Sequence, residues 1–426
     1  MILVDKALAL REQSGQPIKV AIAGAGYSGR NISYQIIKSF PAMRVVAISN
    51  RTLEAARSAY SNAGINDVAT VKTSQQLEDC IRSGRPAITE DAAVICDADG
   101  IDAVIEATGT IEFGCGVVLR AIQRGKNIIL MNVELDATLG PVLKSYADKA
   151  GVVYSNSDGD EPGVAMNMIR FVRSIGLNPV VAGNLKGLYD KYRTPETQRG
   201  FAEKANQKAT TMTSFADGTK LSMELNVLAN ATGFRVGQRG MHAAALPHVN
   251  DTAKFYVDKL IDGGMVDFTV GAAPSNGAFV LGYSEDPMKA AYLKYLKMGD
   301  GPLYTFYTPF HLPQLEIPLT VARAVLFRDS TVAPIGKPVC DSIAIAKRDL
   351  KAGEILDGIG GFTCYTLLEN YGVARRQDLL PMGVSEGCTL KRNIPKDDAV
   401  SYRDINLPKD RLCDQLRQEQ DLFFGS

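Results

Sequence analysis

Short apolar runs alternate with amphipathic stretches along the first 155 residues. The run at 18–23, Ile-Lys-Val-Ala-Ile-Ala, predicts a buried strand, and residues 28–40 carry the 3.6-residue period of a helix packed on one face. Residues 44–49 predict a second strand, 53–84 a polar helical region, 87–90 a short strand and 93–96 a helix start. A buried strand follows at 102–109, a helix at 112–124, a strand at 127–133, a helix at 139–150 and a strand at 152–154. A short polar helix over 4–14 precedes all of this, and Gly15 and Pro17 mark the junction. Strands and helices alternating at this length predict a parallel sheet with right-handed crossovers, in which ligands bind beyond the carboxyl ends of the strands. The loops so singled out are 24–29, 49–52, 108–110, 132–139 and 156–163.

The texture changes after residue 163. Alternating segments at 211–215, 220–225, 266–270, 278–281 and 303–307 predict an α+β region, and Asp217-Gly218 between the first two is a hairpin-turn signal. The stretch Ala333-Pro334-Ile335-Gly336-Lys337-Pro338 punctuates a boundary. Beyond it, 342–346, 350–356 and 399–402 predict a small β-rich module, and 410–424 a polar terminal helix.

The chemistry begins at the first strand end, where Gly24-Ala25-Gly26-Tyr27-Ser28-Gly29 supplies the spacing G-x-G-x-x-G between a strand and a helix. Gly24 permits the tight turn, Gly26 lets the backbone approach a pyrophosphate, and Gly29 lets helix and strand pack closely; Tyr27 and Ser28 complete the loop. The fold class expected is α/β: a Rossmann domain over 1–155, an α+β substrate domain over 156–335 and a β-rich module over 336–426. The second strand ends in Ser49-Asn50-Arg51, without the carboxylate that would accept from a ribose 2′-hydroxyl. A guanidinium matches a 2′-phosphate, so NADP(H) is expected over NAD(H). Thr108, Gly109 and Asn132, at two further strand ends, complete the expected cofactor set.

Composition narrows the partners. The 47 basic and 47 acidic residues cancel, which removes any global attraction to nucleic acid or a charged membrane. No segment reaches about 18 uninterrupted apolar residues. The seven cysteines show no C-x-x-C pair and no nearby histidine, so they read as reduced thiols, and a cytoplasmic location is the default. The expectation is a small-molecule enzyme and a homo-oligomer.

Candidate chemistry lies in the second region. Asp158, Asp160 and Glu161 place three carboxylates in four positions at a strand-to-helix handover, which suits Mg2+ or Mn2+ and equally suits helix capping. Lys186, among apolar and glycine neighbours, is the expected proton donor or oxyanion holder, with Asp160 and Glu161 positioning substrate hydroxyls. Lys220, Asn230, Arg235, Arg239 and His242 form the expected anion-binding set, and Lys220 and Glu224 share a strand face where they pair or reach into a cleft. His311, between prolines, is expected to order a loop.

The glycine turn and Val104-Ile105-Glu106-Ala107-Thr108-Gly109 resemble the homoserine dehydrogenase-like oxidoreductases. Met1-Ile2-Leu3-Val4-Asp5, Met131-Asn132-Val133-Glu134, Gly159-Asp160-Glu161-Pro162, Ala229-Asn230-Ala231-Thr232-Gly233 and 318–323 look like the branch containing the deoxyxylulose phosphate reductoisomerase-like enzymes. From Pro338 the chain is similar to the SAF module, at 346–350 and 352–354. This resemblance implies a reduced nicotinamide cofactor and, in the reductoisomerase-like members, isomerisation of a ketose phosphate before reduction. Asn132-Val133-Glu134 stands where homoserine dehydrogenases carry Asn-Lys, which argues against homoserine oxidation. The leading expectation is an NADPH-dependent oxidoreductase or reductoisomerase of a small polyhydroxylated, phosphorylated carbonyl. The alternatives are a homoserine or related amino-acid semialdehyde dehydrogenase and a non-catalytic NADP-binding sensor.

Overall fold

The computed structural model describes residues 4–425; Met1–Leu3, which open one of the resemblance motifs, lie outside the described residues. The described chain forms two compact units. One comprises residues up to 160 with 312–333 and 415–425, and the other comprises 161–311 with 334–414. Of the three expected segments, 1–155 falls in the first unit, 156–335 contributes to both, and 336–426 divides at residue 414.

The first unit is a seven-stranded parallel sheet, because βα repeats leave successive strands no other pairing. Its strands are β1 (Ile18–Ala23), β2 (Met43–Ser49), β3 (Ala69–Thr70), β4 (Ala87–Thr89), β5 (Ala103–Glu106), β6 (Asn127–Leu130) and β7 (Tyr154–Asn156), in the order β3-β4-β2-β1-β5-β6-β7. The chain runs outward from β1 on one side and returns to β5 on the other. The carboxyl ends of β1 and β5 therefore open the crevice where dinucleotides bind in such sheets. Consecutive residues Val20, Ala21, Ile22 and Ala23 of β1 are all fully buried, as expected of a central strand covered on both faces. The predicted 53–84 helical region is two helices, Leu53–Ser61 and Ser74–Ser83, with β3 between them. The helix expected at 139 starts earlier, spanning Val133–Ala150, because Asn132 accepts a hydrogen bond from the Leu135 N–H at 3.1 Å and caps it. Helix Pro313–Ala322 returns to this unit, and its Ile317 and Val321 join the same core as Ile32 and Ile36 of helix Tyr27–Ser39.

The second unit holds a mixed five-stranded sheet, β12-β11-β8-β10-β9. Its strands are β8 (Asn178–Lys186), β9 (Ala244–Ala245), β10 (Met265–Val270), β11 (Ala278–Tyr283) and β12 (Leu303–Thr308). Two antiparallel pairs accompany it: β13 (Cys340–Ala346) with β14 (Cys364–Asn370), and β15 (Thr389–Leu390) with β16 (Ile405–Asn406). Val181 and Leu185 of β8, Met265 of β10, and Phe279 and Leu281 of β11 share one core on one face of the mixed sheet.

The hairpin expected around Asp217-Gly218 is a correction. Residues 211–215 and 220–225 are not strands but parts of helices Ala209–Ala216 and Thr219–Thr232. Leu221 through Ala231 are all buried, so no polar face exposes the 3.6-residue period, and the apolar spacing mimics alternation. Gly218 turns the corner at φ +85°, with Asp217 accepting from the Thr219 N–H at 2.9 Å.

Candidate active site

In the first unit the three glycines of the turn differ in what surrounds them. Gly24 has φ +103°, and a Cβ there would lie 2.6 Å from the Ala107 carbonyl oxygen. A Cβ on Gly29 would lie 1.9 Å from the Gly24 oxygen, so helix and turn touch only because none is present. Nothing lies within 4 Å of the corresponding point on Gly26, which begins the helix of Tyr27–Ser39. That open approach beside a helix N-terminus is the shape a pyrophosphate requires, so the turn fits a dinucleotide.

The other expected cofactor residues divide by what holds them. Ser49 is buried, and its carbonyl accepts from the Gly24 N–H at 2.8 Å. Asn50 accepts from the Ala25 N–H at 2.9 Å and donates to the Thr52 carbonyl, so its amide braces the glycine turn rather than standing free for a phosphate. Arg51 is exposed at the end of β2. Asn132 donates to the Thr110 carbonyl at 3.0 Å while capping its helix; it is buried and orders the 108–110 loop instead of facing it. Thr108 is held from below, its N–H 2.8 Å from Glu106 Oε1 and its hydroxyl on the same oxygen.

Asp158 belongs to a structural network, which corrects its place among the metal candidates. Its carboxylate accepts from Arg323 at 2.8 Å, from Thr331 at 2.6 Å and from Thr320 at 3.1 Å, all within the first unit. Asp160, also buried, closes that unit's first segment.

In the second unit Lys186 is the last residue of β8 and shares a face with Asn184, because side chains two apart on a strand point the same way. Lys186 Nζ lies 2.7 Å from Glu161 Oε1, in the first turn of helix Glu161–Ser174, and 3.3 Å from Glu224 Oε2, inside helix Thr219–Thr232. Asn184 Nδ2 donates to the same Glu224 oxygen at 2.8 Å, and Asn184 Oδ1 is buried without a hydrogen-bond partner. Lys220 stands 3.9 Å from Glu224 one helical turn away, and His311 Nε2 lies 3.5 Å from Glu161 Oε2. Lys220 and Glu224 thus share a helix face, not a strand face.

Electrostatics decide the ionisation here. Burial alone would push the Lys186 ammonium towards neutrality, but Glu161 and Glu224 outweigh it and hold the proton more tightly than in an ordinary lysine. Burial works against Glu161 as well, yet Lys186 and His311 keep its carboxyl well below the usual range. The expected desolvated acid is therefore a fixed cation. Glu161 and Glu224 offer carboxylate oxygens within 4.8 Å of each other, and with the vacant Asn184 oxygen beside them this is an oxygen set suited to a hard divalent cation.

The structure does not bring the rest of the anion-binding set to Lys186. In the register of β8 with β10, Asp267 pairs with Gly183, so Asp267 faces away from Asn184 and Lys186. His242 follows it: its Nδ1 lies 2.7 Å from Asp267 Oδ2, beside Tyr256 in the core on the opposite side. Asn230 accepts from the Val339 N–H at 2.7 Å and donates to Asn226, which makes it a buried structural amide. Arg239 pairs with Glu369 at 2.8 Å, and Arg235 donates to the Asp262 carbonyl at 2.9 Å. Sequence reasoning missed three members of the Lys186 group: Asn184, the buried Glu224 as its centre, and His311. Only the i, i+4 spacing of Lys220 and Glu224 signalled any of them.

Residues 159–317 match the family model described as "Oxidoreductase DRL, catalytic domain". No curated protein matches the chain. Among solved structures, a probable dehydrogenase from Thermotoga maritima is similar at 12% identity and TM-score 0.44, over 75% of this chain and 91% of that one. The 1-deoxy-D-xylulose 5-phosphate reductoisomerase of Zymomonas mobilis, in complex with NADPH, is similar at 19% identity and TM-score 0.33, over 49% of this chain and 57% of that one. Scyllo-inositol dehydrogenase from Lactobacillus casei, with NAD(H) and scyllo-inositol, is similar at 14% identity and TM-score 0.38, over 68% and 76%. These likenesses are too remote to assign a reaction. The glycine turn in its sheet and the matched catalytic segment together define an NAD(P)-dependent oxidoreductase. Among the described residues, no helix is long and apolar enough to cross a membrane.

Proposed function

We propose that the chain is an NADPH-dependent oxidoreductase or reductoisomerase acting on a small polyhydroxylated, phosphorylated carbonyl compound, with Lys186 at the reacting oxygen. The observation that carries this reading is the buried group in which Lys186 Nζ bridges Glu161 and Glu224 at 2.7 and 3.3 Å. Such a group concentrates opposite charges in a low dielectric, where each is worth more to a developing oxyanion than in water. When bound, the reduced nicotinamide supplies a hydride and a divalent cation polarises the carbonyl oxygen.

Glu161 and Glu224 are the carboxylates assigned to the cation. Lys186 stabilises negative charge as it forms on the substrate oxygen. It also becomes a better acid whenever Glu161 and Glu224 are shared with a second cation, since their charge is what holds its proton. Asn184 and His311 orient the two glutamates, and Lys220 supplies a further positive charge towards the substrate. Arg51 discriminates for the 2′-phosphate of NADPH. Assembly as a homo-oligomer is part of the same proposal, and a SAF-like role for residues from 338 rests on the sequence resemblance.

The test follows NADPH absorbance with ketose phosphates, aldose phosphates and aspartate semialdehyde, with and without Mg2+ or Mn2+. Metal-dependent oxidation of NADPH with a sugar phosphate supports the reading. Turnover with the semialdehyde alone overturns the substrate class, and binding without any turnover makes the chain a sensor.

A further inference from the structure

Glu106 is the last residue of β5, fully buried, and register partner of Ala23, the residue before the glycine turn. The next residue, Ala107, donates its N–H to the Ala23 carbonyl at 2.9 Å, and its own carbonyl is the atom that Gly24 must approach without a Cβ. One carboxyl oxygen, Oε1, accepts from the Thr108 N–H at 2.8 Å and from the Thr108 hydroxyl. The other, Oε2, is buried with no hydrogen-bond partner. An ionised carboxylate with an unsatisfied oxygen in the core is costly, and the cost disappears when that oxygen carries a proton.

The titratable groups around it do not relieve this. Glu134 in the first turn of helix Val133–Ala150 repels its charge, Cys115 of helix Ile111–Gln123 and Tyr154 of β7 feel the same carboxyl, and Asp136 stands beyond Tyr154. Asn132 and Thr108 are neutral donors, and β1 presents Ala23. Burial therefore pushes the Glu106 carboxyl up to about 7, despite the bonds from Thr108 to Oε1 and the nearby Asn132 amide. Its charge is poised within the physiological range, one residue from the turn that would receive a pyrophosphate.

We propose that Glu106 couples cofactor binding to proton uptake: as an anionic dinucleotide seats on residues 24–29, the Glu106 carboxylate takes one proton from solvent onto Oε2. Like charge introduced beside an ionised carboxyl in a low dielectric favours its neutral form. Protonation removes that repulsion and leaves Oε1 holding the Thr108–Thr110 loop, so Glu106 acts as a positioning residue with a proton-dependent effect on affinity. No bond other than the new O–H is made or broken. This inference rests on the nicotinamide reading above.

Calorimetric titration of the full chain with NADH and with NADPH, in two buffers of different ionisation heat at pH 7.5, reads the proton directly. NADH is the cleaner probe, because the 2′-phosphate of NADPH titrates near the range of a phosphate monoester, about 6. The expected result is net uptake of most of one proton and an NADH affinity about tenfold weaker at pH 8.5 than at 6.5, both abolished in Glu106→Gln. Should that variant fail to fold, the carboxyl-carbon NMR shift of Glu106 in the unsubstituted protein gives the same answer through a higher titration midpoint in the complex. Binding with no uptake, proton release, or an unchanged pH dependence in Glu106→Gln overturns the inference. Failure of both dinucleotides to bind at any pH overturns the cofactor reading instead.

Discussion

At Lys186 burial and charge pull in opposite directions, and the two glutamates decide the outcome. Lys186→Met is expected to lower turnover by roughly a hundredfold or more while leaving NADPH affinity nearly unchanged; steady-state kinetics beside a binding titration checks both. Retained turnover would move the role to Lys220. At the cofactor end, Arg51→Asp is expected to cost roughly tenfold or more in NADPH affinity and to spare NADH, since a charge-assisted phosphate contact is worth about 1.5–3 kcal/mol. Equal binding of the two cofactors by the unsubstituted chain would remove that role from Arg51. A third expectation concerns Asp136, whose carboxyl burial pushes up to about 6 despite bonds from Tyr154 and Asn156. The folded chain then binds more protons at this site than the unfolded one between about pH 4 and 6, so its contribution to stability is present below that window and is lost as pH rises through it. An Asp136 carboxyl that titrates below 4 by NMR would contradict this. The glycines, Lys186 and Glu161 were legible in the sequence because each sits at a strand end or helix start. Asn184 was not, since its role depends on a partner 40 residues away, Glu224.

Among elements, the strand that carries Lys186 was the hardest to read. Asn178–Lys186 contains Pro179 and Gly183, both of which signal a loop, yet Gly183 is required where a Cβ would lie 1.7 Å from the Asp267 carbonyl oxygen. Close approach of two backbones leaves no mark on local periodicity. By contrast, β1, β2, β5 and β6 were evident from their apolar runs, because a central parallel strand needs nothing else. The corner between helices Ala209–Ala216 and Thr219–Thr232 gives a test at this scale. Asp217 is buried against Lys347 Nζ at 2.9 Å, and that ammonium also donates to the carbonyls of Arg193 and Gly361 at 2.7 and 2.8 Å. Lys347→Met leaves the buried carboxylate without its cation, and urea unfolding is expected to show a loss of about 3–5 kcal/mol. A loss under 1 kcal/mol would mean that water replaces the ammonium.

At the scale of the whole molecule, the punctuation at 333–338 does mark a place where the chain passes from one unit to the other, but the residues after it do not all stay there. Sequence composition registers such a passage and carries no information about a later return. Removal of residues 336–426 is expected to lose cooperative unfolding altogether, because it takes residues 336–414 from one unit and 415–425 from the other; a truncated chain that melts cooperatively near the full-length temperature would contradict this. The same threading bears on synthesis. The glycine turn, all seven strands and the helix carrying Arg30 leave the ribosome within the first 160 residues, but the unit they build waits for 312–333 and then for 415–425. A nascent chain thus carries an apolar surface, around Ile32 and Ile36, that its own later residues Ile317 and Val321 are meant to cover. At roughly 5–20 residues per second, the interval between making Ile36 and making Ile317 lasts on the order of tens of seconds, a period in which a chaperone that shields that helix would have its use.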